Sequence, residues 1–362
     1  MKAFCVTAAK VAGVVERTLP KLRDDYILVR VISVALNPTD WKHIDFLAKP
    51  GQLVGCDYAG IVEEVGKDVQ KDFVKGDRVF GLVHGCNDLQ EEDGAFAEYV
   101  VDKGDTQWRI PNNISFQQAA TLGVGVSTVI QALYQLLDLK WPKNGLSSTD
   151  NEGDILIYGG STATGYLAIQ FANLSGYRVI ATCSPHNFDL VRDAGADAVF
   201  DYRDPGSAAE IRKYTQNSLK FAFDCVATPD SANFCDNAMS SEGGHKASIN
   251  GGRAIALMST HASIDPATMK EGNITTSFPL AYTTTGEDLN KAGKFIAARS
   301  QDKAYIIAFS SLLEDLLAEG KFKAIRHTVR GQGLHGIAEG LALMREGKVT
   351  GEKLVYNIAD AA

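Results

Sequence analysis

The 362-residue chain has no excess of positive charge: 36 Lys and Arg stand against 44 Asp and Glu, for a net charge of -8. Nucleic acid and anionic membranes need a basic surface, so neither is expected as a partner. Long apolar runs are missing as well. No stretch of about 18 apolar residues occurs, so no membrane-spanning helix is expected. The first residues, "MKAFCVTAAKVAGVVERTLP", are interrupted by Lys10, Glu16 and Arg17 and do not read as a signal peptide. The six cysteines (Cys5, Cys56, Cys86, Cys183, Cys225 and Cys235) include no CxxC pair. That removes the signal for a zinc ribbon or a redox dithiol. Scattered thiols without a signal peptide predict a reduced, cytoplasmic protein. The histidines fall into no Ser-His-Asp order. Internal repeats, coiled coil and low-complexity segments are absent too.

What remains is ordinary globular material, 45% hydrophobic and 22% charged. The length exceeds what one hydrophobic core usually spans, so two domains are expected. The first third is β-rich. "YILVRVISVAL" (26–36), "YAGIVEEVG" (58–66), "GDRVFGLV" (76–83) and "GAFAEYVVD" (94–102) alternate and are separated by Gly and Asp turns. A helical stretch follows at 116–139, then a polar loop at 140–153. From "DILIYGG" (154–160) onward, apolar strands alternate with helical patterns: 177–184, 197–203, 220–227 and 243–250 read as strands. That alternation predicts an α/β fold with a doubly wound parallel sheet covered on both faces. Helices at 302–320 and 333–347 and a strand at 352–358 close the chain.

"YGGSTATGYLAIQ" (158–170) runs from a strand through a Gly-rich turn into a helix. Unsatisfied N–H groups and the helix dipole favour an anion there. Aligned with the dinucleotide fingerprint, Gly160-Ser161-Thr162-Ala163-Thr164-Gly165 carries the first and third glycines and Thr162 in place of the second. Hydroxyls of Ser161, Thr162 and Thr164 could replace backbone donors lost to the threonine Cβ. The alternative is a β–α turn without a ligand. The second strand ends in Ser184, Pro185, His186 and Asn187, with no acid to accept from a ribose 2′-hydroxyl. Neutral donors there, with Tyr202 and Arg203 after the third strand, point to NADPH. A polar strand end facing water is the other reading.

These stretches, together with "NPTDWK" (37–42), "VGCDYAGIVEEVG" (54–66), "VKGDRVFG" (74–81), "GVSTVIQAL" (125–133) and "GADAVFDYR" (195–203), resemble the medium-chain dehydrogenase/reductase superfamily over nearly the whole chain. "YGGSTATG", "IATCSPHNFDL" and "TGEKLV" are most similar to the fungal trans-acting enoyl reductases of polyketide pathways, the lovastatin enoyl reductase type. The resemblance implies a Rossmann NADPH-binding domain (128–292) inserted into a β-rich, GroES-like catalytic domain (1–127 and 293–362). Zinc-dependent members use a Cys, a His-Glu pair and a second Cys. The matching positions here are Asn37, Cys56-Asp57 and Val124, and Val124 cannot ligate. No metal is therefore expected, a makeshift site of Cys56, Asp57 and His43 being the alternative.

The resemblance further implies that Lys42 faces the nicotinamide ribose, as anchor or proton relay, with Thr39, Asp40 and Trp41 along the same cofactor edge. Lys42 could instead be a surface lysine, and Asp40 could simply close a turn. Thr128 would lie by the nicotinamide and bond cofactor or substrate carbonyl; its other reading is a helix threonine bonding its own backbone. The helix from Gln131 to Gln135 and the "YTTTG" segment (Tyr282, Thr283, Thr284, Thr285, Gly286) would line the substrate pocket. Ile249 and Asn250, and Val349 and Thr350, would touch the cofactor.

The expected function is NADPH-dependent hydride transfer to the β-carbon of an α,β-unsaturated polyketide thioester, in secondary metabolism. The thioester could be carried by a polyketide synthase acyl carrier domain, for which the basic stretch "KFKAIRHTVR" (321–330) is the best docking candidate, although a charged solvent face is the more common explanation of such a stretch. A quinone or enone reductase acting on free molecules, and a non-catalytic NADPH-binding protein, are the alternatives.

Overall fold

A computed structural model of the chain describes residues 1–142, 152–249, 268–291 and 293–359. It divides into two compact units, Met1–Ser127 with Tyr282–Ala362, and Thr128–Ala281. The first unit resumes at Tyr282.

The first unit is held by a seven-stranded sheet ordered His327–Arg330, Lys353–Asn357, Tyr26–Ala35, Asp57–Val65, Arg78–Leu82 and Trp108–Arg109, with Tyr99–Lys103 also paired to Tyr26–Ala35. Tyr26–Ala35 is rich in Val and Ile, as a strand packed against neighbours should be. Lys353–Asn357 pairs antiparallel with it, Val355 opposite Ala35. This pairing weaves both ends of the chain into one sheet. The core beneath gathers Phe4, Val29, Val31, Tyr58, Phe96 and Tyr356, with Ile337 and Leu341 from the helix Ile337–Arg345.

The second unit is a seven-stranded sheet ordered Ala198–Phe200, Arg178–Thr182, Asp154–Tyr158, Phe221–Asp224, Gly244–Ser248, Ile274–Ser277 and Thr268–Glu271. Six strands are parallel and the last is antiparallel. Numbered along the chain, the parallel strands read 3-2-1-4-5-6, the dinucleotide-binding order. Leu156, Ile180 and Ala222 from three adjacent strands pack with Ile211, Cys235 and Met239. Among the described residues, no helix is long and apolar enough to cross a membrane.

The region 116–139, read from the sequence as one helical stretch, is broken. A turn of helix at Phe116–Ala119 is capped by Ser115, a second helix runs Gly123–Val129, and a π-helical segment follows at Ile130–Leu136. The widened turn shows in the Leu137 N–H bond to the Ala132 carbonyl, 3.0 Å, five residues back. Most of the polar loop at 140–153 lies outside the described residues, as does Asn250.

Candidate active site

Strand Asp154–Tyr158 enters the Gly-rich turn, and Gly159 takes the left-handed conformation, φ +82°. The helix Ala163–Leu174 starts at once. A Cβ on Gly165 would overlap the Gly159 carbonyl oxygen, so helix and strand approach this closely only with glycine there. Thr162 is the N-cap: its hydroxyl donates to the Gly159 carbonyl at 2.8 Å and accepts from the Gly165 N–H at 3.0 Å. The sequence reading gave that hydroxyl to a phosphate; it is instead spent on capping the helix. The N–H groups of Ala163 and Thr164, in the first turn, have no intrahelical acceptor. With Ser161 they are half-buried at the carboxyl end of the central strand, where the strand order reverses. The turn therefore fits the pyrophosphate of a dinucleotide.

At the end of the second strand, Ser184 is half-buried, Pro185 and His186 are exposed, and Asn187 is buried with its amide 3.3 Å from His186 Nε2. Tyr202 is 41% exposed and meets Tyr158 edge-on at 5.9 Å. Arg203 is not a free cation: Asp201 holds its guanidinium in two contacts, 3.0 and 2.9 Å. Ile249 is half-buried and its N–H bonds the Asp224 carbonyl. The buried Gln131 side chain accepts the Leu280 N–H at 2.7 Å, and Gln135 is half-buried on the π-helical segment. Thr128 is half-buried near the end of the helix Gly123–Val129.

In the first unit, "NPTDWK" opens the helix Pro38–Phe46. Pro38 suits its first position, and the Asp40 carboxylate reaches back to the Asn37 N–H at 2.6 Å. Asp40 and His43 are buried, Thr39 and Trp41 are half-buried, and Lys42 is exposed, its ammonium 5.7 Å from the Trp41 ring centroid. Val349 packs on the core and Thr350 is exposed.

The positions that the resemblance assigns to a catalytic zinc hold a different arrangement. One oxygen of the buried Asp57 accepts the Val124 N–H at 2.6 Å. The other accepts from the Asn37 amide at 2.9 Å and from the Lys353 ammonium, which also donates to Asn37 Oδ1 at 2.9 Å. A cation already bonded to both Asn37 and Asp57 leaves no donor set that fits zinc. Cys56, the remaining member, points elsewhere, to Tyr282.

Tyr282 collects a polar cluster that the sequence reading did not foresee. It is 5% exposed, in the turn Ala281–Thr285. Its hydroxyl lies 3.0 Å from Thr39 Oγ1 and 3.2 Å from Cys56 Sγ. Its ring stacks on His84 at 4.1 Å, and the Lys291 ammonium sits 4.4 Å from the ring centroid, bonded to His43 Nε2. Burial pushes Lys291 down to about 8 and holds both His43 and His84 well below the usual imidazole range, helped by the Lys291 charge. Burial also raises the Cys56 thiol, against an electropositive, reactive setting. Within the rest of "YTTTG", Thr283 donates to Asp302, Thr285 donates to the Tyr282 carbonyl at 2.9 Å, and Thr284 is buried. Gly286 adopts φ +71°. On the basic stretch, Lys321 and Arg330 are already paired, with Glu319 at 2.7 Å and Glu339 at 2.6 Å.

Two family models match the chain: the alcohol dehydrogenase GroES-like domain over residues 23–112 and the zinc-binding dehydrogenase over 163–297. The trans-enoyl reductase TOXD of Cochliobolus carbonum is 56% identical over 272 residues, 75% of this chain and 86% of its own. The trans-enoyl reductase resD of Aspergillus sclerotiorum is 44% identical across 99% of this chain and 100% of its own. Among solved structures, the quinone oxidoreductase of Coxiella burnetii superposes with a TM-score of 0.71 over 99% of both chains, at 24% identity.

Proposed function

Since the chain belongs to the trans-enoyl reductases of the medium-chain dehydrogenase/reductase superfamily and is an oxidoreductase acting on a carbon–carbon double bond, we propose that it uses NADPH to reduce a polyketide enoyl thioester carried by a separate synthase. The observation that carries the reading is the Lys353–Asp57–Asn37 arrangement. Where a metal would polarise an alcohol or carbonyl, this chain keeps an internal ion pair. The acceptor must then delocalise charge by its own conjugation, as an α,β-unsaturated thioester does.

Reduced nicotinamide supplies the hydride that adds to the β-carbon of such an acceptor. The chain's residues bind, orient and complete the reaction. The N–H groups of Ala163 and Thr164, with Ser161, receive the pyrophosphate. Ser184, His186 and Asn187 offer donors to a 2′-phosphate, where a carboxylate would repel it, and Tyr202 stacks on adenine. Lys42, Thr39 and Trp41 hold the nicotinamide ribose edge, joined by Val349, Thr350 and Ile249. Thr128 donates to the thioester carbonyl as negative charge develops there, and Gln131 and Gln135 shape the acyl pocket.

The test is NADPH oxidation with crotonyl and α-methylcrotonyl thioesters beside a panel of quinones. Turnover of the thioesters supports the reading. Turnover of quinones alone assigns the chain to free small-molecule acceptors, and NADPH binding without any oxidation makes it a non-catalytic binder.

A further inference from the structure

Tyr282 opens the segment that returns to the first unit, and its backbone is pinned there. Its carbonyl accepts the Thr285 hydroxyl at 2.9 Å. The next residue, Thr283, donates its hydroxyl to the buried Asp302 and accepts the Gly286 N–H on its carbonyl at 3.1 Å. The Tyr282 ring is enclosed as well. His84 stacks on it at 4.1 Å with 27° between the planes, His43 lies at 5.8 Å, and the Lys291 ammonium at 4.4 Å. A buried ring among these neighbours changes rotamer only by displacing them. Its hydroxyl is therefore a fixed point.

Two side chains meet that point: Cys56 Sγ at 3.2 Å and Thr39 Oγ1 at 3.0 Å. Cys56 and Tyr282 are buried, and Thr39 is half-buried. Thr39 is the second residue of the helix Pro38–Phe46. A threonine on a helix divides between two rotamers and readily turns its hydroxyl onto its own backbone. Here the hydroxyl reaches across to a residue 243 positions away. Either oxygen is able to donate in this contact, and its length is that of an ordinary hydrogen bond.

We propose that Tyr282 is a positioning residue: it fixes the Thr39 hydroxyl in one setting, and Thr39 so held sets the nicotinamide ribose. The inference rests on the reading above, in which Thr39 lies on that edge of the cofactor. Tyr282 touches neither cofactor nor substrate in this role and acts through Thr39. The sequence reading gave the whole "YTTTG" segment to the acyl pocket; its first residue serves instead as a brace behind the cofactor edge. Such a brace matters because misplacing a reacting atom by about 1 Å costs about 10²-fold in rate.

The test is calorimetric titration of the full chain with NADPH and with 2′-phospho-ADP, which lacks the nicotinamide and its ribose. Tyr282→Phe removes only the hydroxyl. It should weaken NADPH by roughly fivefold to tenfold and leave 2′-phospho-ADP unchanged. Thr39→Val should do the same, and the double variant should be no weaker than either single one, because both break one contact. Thr39→Ser keeps the hydroxyl and should bind as wild type does. Y282F at wild-type affinity, equal weakening of both nucleotides, full additivity with T39V, or T39S as weak as T39V overturns the positioning role. T39V at wild-type affinity overturns it whether or not Y282F folds. These titrations need no acceptor. Failure to reduce any thioester therefore removes the enoyl reductase reading and leaves the brace standing, whereas a wild-type chain that binds no NADPH removes both.

Discussion

Lys353, on the strand that closes the chain, sets its ammonium against the carboxylate of Asp57, and both side chains are almost entirely withdrawn from water. The pair ties the last strand to Asn37 at the start of the Pro38–Phe46 helix and to Val124 in the helix Gly123–Val129. Gly123 is required beside it, since a Cβ there would overlap the Gly81 carbonyl and crowd Asp57. In a fold that elsewhere accommodates zinc, the charge of a lysine has become the cross-link.

Lys353→Met should therefore be strongly destabilising, because it leaves the Asp57 carboxylate buried with only neutral donors. Breaking one side of a buried pair costs about 3–5 kcal/mol. Urea unfolding should show a loss of that order. Lys353→Met with Asp57→Asn should lose less than the two single changes added together, because the unpaired charge is gone. A single variant within about 0.5 kcal/mol of wild type would show that the pair is not a structural link.

Much of the second unit was legible in the sequence because its strands are short apolar runs bounded by turn residues. Asp154–Tyr158, Arg178–Thr182 and Phe221–Asp224 fall inside the stretches read as strands. The π-helical segment was not legible, since it keeps the apolar spacing of a helix and only its hydrogen bonds differ. Thr162 shows the limit at the scale of one atom. A threonine in a phosphate loop reads as a donor, yet at the N-cap the same hydroxyl is claimed by the helix. Lys42 stood in a recognisable motif and lies exposed, whereas Lys291 stands in no motif and lies in the polar cluster. Its partners His43 and Cys56 are far away in sequence, and only the fold brings them to it and to nearby Tyr282.

The buried Asp102 gives the fold a pH dependence of predictable sign. Burial pushes its carboxyl well above the usual carboxylate range, one oxygen accepts the Lys103 N–H at 2.8 Å, and the other has no partner among the described residues. The folded state thus binds a proton that the unfolded chain gives up near pH 4. Stability contributed by this group is present below the unfolded value and declines as pH rises toward the folded one. Asp102→Asn cannot titrate. Its stability relative to wild type should rise steadily from acid to neutral pH, as read by thermal melting at several pH values. A constant difference across that range would mean that Asp102 does not titrate differently in the two states.

The contact between Asp201 and Arg203 makes a sharper test of the nucleotide. As the fold stands, Arg203, near the end of the third strand, is neutralised by Asp201, two residues back. Both are partly exposed, so the pair itself contributes little to stability. Removing the carboxylate releases the guanidinium at the corner proposed for the adenosine phosphate, and a dianionic 2′-phosphate gains from a free cation more than a ribose hydroxyl does. Asp201→Asn should therefore raise NADPH affinity several-fold while leaving NADH nearly unchanged, and the gain should shrink with added salt. Arg203→Ala on the D201N background should remove the gain. Fluorescence titration of both nucleotides reads the ratio directly, and equal strengthening of NADH would place the 2′-position away from this corner.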